Sequence, residues 1–175
     1  AHHLNHGKKH GGAAIYAPIL ETALRCADLV ICEGSPNELA DRGLEPATLR
    51  ATNARSTLVL ISPYGQTGPM ANTPASDLTL NCASGIVREL TGQVDELTEA
   101  PVRPVGRQSS FIGGLAGAAA GMHAALLDGG GVIDVSIQEA LATLTITELA
   151  RAGLGTYDWQ RKRDSDGNGT TVCIL

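Results

Sequence analysis

The sequence predicts an α/β fold, a Rossmann-like parallel sheet with flanking helices, and three observations carry that expectation. Residues 27–32 and 57–62 are short apolar runs with the length and unbroken character of strands buried on both faces. Stretches of helical periodicity separate them, and each run is followed by a segment rich in turn formers. Strand, crossover and strand at this spacing imply right-handed βαβ units, whose ligands sit beyond the C-terminal ends of the strands.

The elements follow in order. Ile15, Ile19, Leu20, Ala23 and Leu24 recur at helical spacing over residues 14–26, and the strand at 27–32 follows a polar break. Glu33-Gly34-Ser35-Pro36 is a turn in which Ser35 can cap a helix and Pro36 can take its first position. That short helix runs to Arg42 and stops at Gly43, and a second occupies 44–53. The clearest strand, 57–62, delivers the loop Pro63-Tyr64-Gly65-Gln66-Thr67-Gly68-Pro69. A helix is expected over 77–89 and irregular chain over 94–106, with prolines at 101 and 104. Residues 111–127 read as a small-residue helix, whose Gly113, Gly114, Gly117 and Gly121 allow close packing and require tertiary contact to hold it. After the turn Gly129-Gly130-Gly131 come a strand over 132–137 and a helix over 138–152. Residues 161–171 are charged and glycine-rich, the composition of a linker.

Composition excludes several classes. A chain of 175 residues with 43% hydrophobic and 18% charged residues can bury a core. A formal net charge of −5, with only Lys8-Lys9 and Arg161-Lys162-Arg163 as basic clusters, argues against nucleic acid and anionic membranes as partners. No apolar run reaches the roughly 18 residues of a membrane span, and no signal-peptide pattern opens the chain. Cys26, Cys32, Cys82 and Cys173 show neither CxxC nor metal spacing, so buried free thiols in a reducing cytoplasm are expected. Ala1 is not Met, and Val172-Cys173-Ile174-Leu175 reads as the opening of a strand, so both ends read as cut.

Motifs for other chemistry are weak. His2, His3, His6 and His10 match no zinc pattern, and no metal site is expected. Asn5-His6-Gly7-Lys8-Lys9 could hold phosphate by charge, and the turn at Glu33 could offer backbone N–H groups to an anion. There is no GxGxxG after a strand and no G-x-S-x-G elbow. His123, on an apolar helix, reads as a core residue.

Several of these segments, in this order, resemble the family III CoA-transferases of the CaiB/BaiF type, which include formyl-CoA transferase and α-methylacyl-CoA racemase. Leu4-Asn5-His6-Gly7-Lys8-Lys9 resembles the family's N-x-x-K-R segment, and 27–33 its "aDvvien" strand. Ile61-Ser62-Pro63-Tyr64-Gly65-Gln66-Thr67-Gly68-Pro69 is close to "isgfGqtGP", residues 74–85 to "rPgyDliaqamsG", and 132–140 to "vDvsl.eA".

The resemblance implies a Rossmann-like large domain, part of which is residues 1–155, with 156–175 starting a linker toward a small domain. It also implies an interlocked homodimer or a heteromer. Coenzyme A or acyl-CoA would be the substrate, with no covalently bound cofactor. Lys8, Lys9, Glu33, Gly34 and Arg42 would contact the nucleotide end, although Glu33 repels phosphate and would suit ribose or adenine. In the transferases one Asp attacks the thioester, forms a mixed anhydride and then carries CoA as an aspartyl thioester. That position here is Ser110, and a hydroxyl cannot perform this exchange in the same way. Gln66 and Asp77 fall in the family's other active-site motifs, and Ser76 stands where the racemases carry a His. The implied parent reaction is CoA transfer between an acyl-CoA and a carboxylic acid. The alternative is an acyl-CoA-binding member without the nucleophile.

Overall fold

The computed structural model describes residues 5–8, 17–87, 104–127, 130–146, 150, 153 and 154. Helix α1 (Ala17–Cys26) leads into strand β1 (Leu29–Glu33), helices α2 (Pro36–Asp41) and α3 (Pro46–Thr52), and strand β2 (Thr57–Ser62). Helices α4 (Asp77–Ala83) and α5 (Gln108–Ala125) precede strand β3 (Val132–Ser136), helix α6 (Ile137–Ala142) and the 3-10 turn Thr143–Thr145. The strands form the expected parallel sheet in the order β1-β2-β3, with Ile31 opposite Val59 and Val59 opposite Ile133.

Strand β2 is central, and its alternating side chains build the two layers around it. Leu58 and Leu60 cluster with Cys32, Leu39 and Leu49 beneath α2 and α3. Val59 and Ile61 point the other way, onto α5. That helix lies on the sheet through a stripe of glycines one turn apart. A Cβ on Gly117 would stand 2.6 Å from Ile61 Cδ1, and one on Gly121 3.0 Å from Val59 Cγ2. Gly113 meets Ile137 of α6 in the same way, at 2.7 Å from Cγ1. A second cluster, Leu80, Ile137 and Leu141 with Ile112 and Tyr64, joins α4, α5 and α6.

Local chemistry sets the ends of the short helices. Ser35 Oγ accepts from the Glu38 N–H while Glu38 Oε2 accepts from the Ser35 N–H at 2.7 Å, a capping box with Pro36 just inside the helix. Asn53 Nδ2 donates to the carbonyls of Leu24, Arg25 and Ala27, which pins the end of α1 against the end of α3.

Four expectations are corrected. Helix α5 begins at Gln108, three residues before the predicted start, so Ser109 and Ser110 lie in its first turn. Helix α4 ends at Ala83, with Gly85 at φ +84 just beyond it; the chain is helical again at Ile86 and Val87, and residues 88–89 of the expected helix lie outside the described residues. His123 is exposed, because it sits about 200° around the helix from the inward-facing Gly121. Cys26, Cys32 and Cys82 are free thiols, but only Cys32 is buried. The expected linker over 161–171 and Cys173 lie outside the described residues.

Candidate functional site

Two cavities hold most of the residues singled out from the sequence, and they differ in charge. One, of about 530 Å³, opens beyond the C-terminal ends of β1 and β2 and is lined by Glu33, Gly34, Glu38, Asp41, Arg42 and Pro63. Glu33, Gly34 and Arg42 therefore gather at the edge of the sheet where ligands of such folds sit. Arg42 Nη1 donates to the Glu33 carbonyl at 3.2 Å, which ties the guanidinium to the turn. Glu38 is held below its ordinary value of 4.5 by the Ser35 backbone N–H and hydroxyl, so it stays ionised. Three carboxylates against one guanidinium make this pocket hostile to phosphate.

The second cavity, an open cleft of about 920 Å³, lies at the start of α5 and is lined by Lys8, Arg107, Gln108, Ser110, Phe111, Gly114 and Leu115. Among the described residues it is lined by two cations and no carboxylate. Lys8 was expected beside Glu33 and Arg42; instead it lines this cleft with Ser110, its Nζ bonded to Asn5 Oδ1 at 3.2 Å. Lys9 lies outside the described residues.

Gln66 and Asp77 are both engaged in holding the frame. The Gln66 N–H donates to both oxygens of Asp134 at 3.0 and 2.9 Å, and its Nε2 donates to the Gly34 carbonyl at 2.9 Å. Gly65, at φ +85 and with Asp134 Oδ2 only 3.4 Å from where its Cβ would be, makes that turn possible. One residue thus links the loop after β2 to both neighbouring strands. Asp77 Oδ1 accepts from the Ser109 N–H at 2.9 Å and from Ser109 Oγ at 2.6 Å. A buried serine beside the expected position, and a carboxylate 32 residues earlier, thereby fix the start of α5 and present Ser110 to the cleft. Sequence reading passed over Ser109, Arg107 and Asp134; only the repeated hydroxyl at 109–110 hinted at a helix start. Ser76 caps α4, its Oγ accepting from the Thr79 N–H at 3.2 Å. Among the described residues no cluster of His, Cys, Asp or Glu could hold a metal ion. No described helix is long and apolar enough to cross a membrane.

With this geometry established, comparison with known proteins gives the class. The family model described as CoA-transferase family III matches residues 16–172, and the chain belongs to that family. Among curated proteins, the succinyl-CoA:(R)-benzylsuccinate CoA-transferase subunit BbsE of Thauera aromatica is 31% identical over 124 residues, 71% of this chain and 30% of that protein. Among solved structures, a CaiB/BaiF family protein from Brucella suis superposes with a TM-score of 0.63 at 21% identity, covering 81% of this chain and 38% of its own. Rv3272 from Mycobacterium tuberculosis gives 0.69 at 20% identity, covering 83% and 42%. The chain thus spans well under half the length of these relatives.

Proposed function

We propose that the protein is a subunit of a CoA-transferase moving CoA between an acyl-CoA and a carboxylic acid, and that this chain forms part of its CoA-facing large domain. The observation that carries the reading is the cleft at the start of α5, which is lined by Ser110, the residue that the sequence resemblance aligns with the family's nucleophile. Glu33, Gly34 and Arg42, grouped at the strand ends, would meet the uncharged adenosine portion of CoA rather than its phosphates. Residues 1–155 are read as part of the large domain and 156–175 as the start of a linker. The assembly is read as a cytoplasmic dimer or heteromer.

Ser110 favours a second reading of this chain's own role. A hydroxyl does not form the mixed anhydride and CoA thioester that a carboxylate forms. The chain then binds acyl-CoA while the nucleophile comes from a partner subunit; the similar T. aromatica protein is itself a subunit.

Thermal unfolding with and without millimolar CoA tests the binding claim. A ligand that binds only the folded state stabilises it by about 2.7 kcal/mol at a hundredfold excess over Kd, so Tm should rise by several degrees. A transition indifferent to CoA would overturn it. Intact mass after incubation with an acyl-CoA tests the second reading: no adduct is expected, and an acyl or CoA adduct on this chain would refute it.

A further inference from the structure

We infer that a third cavity, at the N-terminal edge of the sheet, is a binding site for glutathione disulfide, and that Cys26 is reversibly glutathionylated there. The cavity, of about 340 Å³, is walled by Arg25, Cys26 and Asp28 around the start of β1, Asn53 and Arg55 before β2, and Leu127 just past α5. It lies at the opposite pole from Ser110, because α5 begins at the large cleft and its last turn reaches this cavity. The site is therefore independent of the acyl-CoA reading. Asn53 holds both sides of it: its Nδ2 donates to the carbonyls of Arg25 and Ala27, which flank Cys26, and its Oδ1 accepts from the Arg55 N–H at 3.1 Å. The thiol and the Arg55 backbone are thus set in one fixed relation before any ligand arrives.

Charge chooses the ligand. Among the described residues the walls carry two guanidiniums and one carboxylate, the mirror of glutathione's two carboxylates and one ammonium. Arg25 gives Nε and Nη2 to Glu21 Oε1, at 3.3 and 2.6 Å, whereas among the described residues the Arg55 side chain enters no ion pair, so Arg55 is the stronger anchor. The volume is at the small end of ligand pockets, which run from about 300 to 1,000 Å³, and suits one tripeptide half of the disulfide. Cys26 is an exposed free thiol, so its sulfur is within reach of solvent-borne reagents. Its thiolate attacks one sulfur of the disulfide: the Cys26–glutathione S–S bond forms, the original S–S bond breaks, and reduced glutathione leaves, taking the proton that Cys26 gave up. Cys26 is oxidised, half of the disulfide is reduced, and no further reactant is needed.

Cys82, the other exposed free thiol among the described residues, supplies a control within the same chain. The 175-residue chain is incubated with glutathione disulfide or with neutral bis(2-hydroxyethyl) disulfide, and adducts are assigned to each cysteine by peptide mass mapping. The neutral reagent should label Cys26 and Cys82 and spare buried Cys32, which shows that the fold is intact. The rate with glutathione disulfide, relative to the neutral reagent, should be at least about fivefold higher at Cys26 than at Cys82, and that excess should shrink as salt rises. Arg55→Gln should remove most of the excess and leave Cys82 unchanged. Arg25→Gln should do the same if the first variant unfolds and exposes Cys32.

Excess reduced glutathione should strip the adduct from Cys26. The same relative rate at the two cysteines, an excess at Cys26 that survives both arginine substitutions, or an adduct that reduced glutathione cannot remove would overturn the inference.

Discussion

Alanine at Gly113 and alanine at Gly114 are the same chemical change one residue apart, yet they should act in opposite directions. Both remove a glycine from the interior of α5, which on propensity alone gains about 0.8–1 kcal/mol. Among the described residues Gly114 has nothing within 4 Å of its Cβ position, so Gly114→Ala should keep that gain. At Gly113 the new methyl would stand 2.7 Å from Ile137 Cγ1, 3.3 Å from Cγ2 and 3.4 Å from Cβ. Ile137 is buried and β-branched, so turning one terminal methyl cannot relieve all three contacts. Overpacking of this kind costs about 1–3 kcal/mol, leaving Gly113→Ala between break-even and about 2 kcal/mol destabilised. The two variants should therefore differ by about 1–3 kcal/mol, a Tm gap of about 2–12 °C for a chain of this size. Thermal unfolding followed by circular dichroism, with a urea series to check that the m-value is unchanged, measures it. A Gly113→Ala protein as stable as Gly114→Ala would refute the close seating of α5 on α6.

Other consequences follow from single contacts. Asp77→Ala removes the acceptor of both Ser109 bonds and should cost about 2–3 kcal/mol in urea unfolding; less than about 0.5 kcal/mol would mean that Asp77 does not fix the start of α5. Ser62→Ala should be neutral or stabilising, because Ser62 Oγ is buried without a hydrogen-bond partner among the described residues; a loss above about 1 kcal/mol would show that it has one. In native thiol labelling, Cys26 and Cys82 should react quickly. Cys32 should react slowly, since burial raises its thiol pKa against the smaller lowering effect of Arg42. Glu38 has a folded-state pKa depressed below 4.5, so its contribution is present above about pH 4.5 and is lost as pH falls through the lower folded value. The urea midpoint of Glu38→Gln should accordingly approach that of the wild type as the medium is acidified from pH 7 to pH 3. A gap that stays constant would contradict the capping-box assignment.

What could be read from the sequence was mainly what neighbouring residues decide. The cap at Ser35 with Pro36 beside it, and strand β2 with its unbroken apolar run, depend on adjacent chemistry and appear where expected. The start of α5 depends on a carboxylate 32 residues away, so Gln108 to Ser110 fell outside the predicted helix. His123 looked buried because its neighbours are apolar, but the glycine stripe decides which face of α5 turns inward. Glu33, Gly34 and Arg42 line one pocket because they flank one strand-to-helix turn. Lys8 was assigned to them through a motif, yet it lies in the second cleft, a placement that chain folding fixes and spacing does not.

The bonds of Gln66 bear on how the sheet opens. Its backbone N–H reaches Asp134 on β3 and its side chain reaches Gly34 just past β1, so both outer strands of the described sheet share one neighbour at the end where the pockets lie. Fraying there is a joint event: neither strand can peel away without loosening the residue that also steadies the other. Amide exchange at the two strand ends should then report a single opening free energy, and a ligand that tightens one pocket wall should slow exchange on the opposite edge.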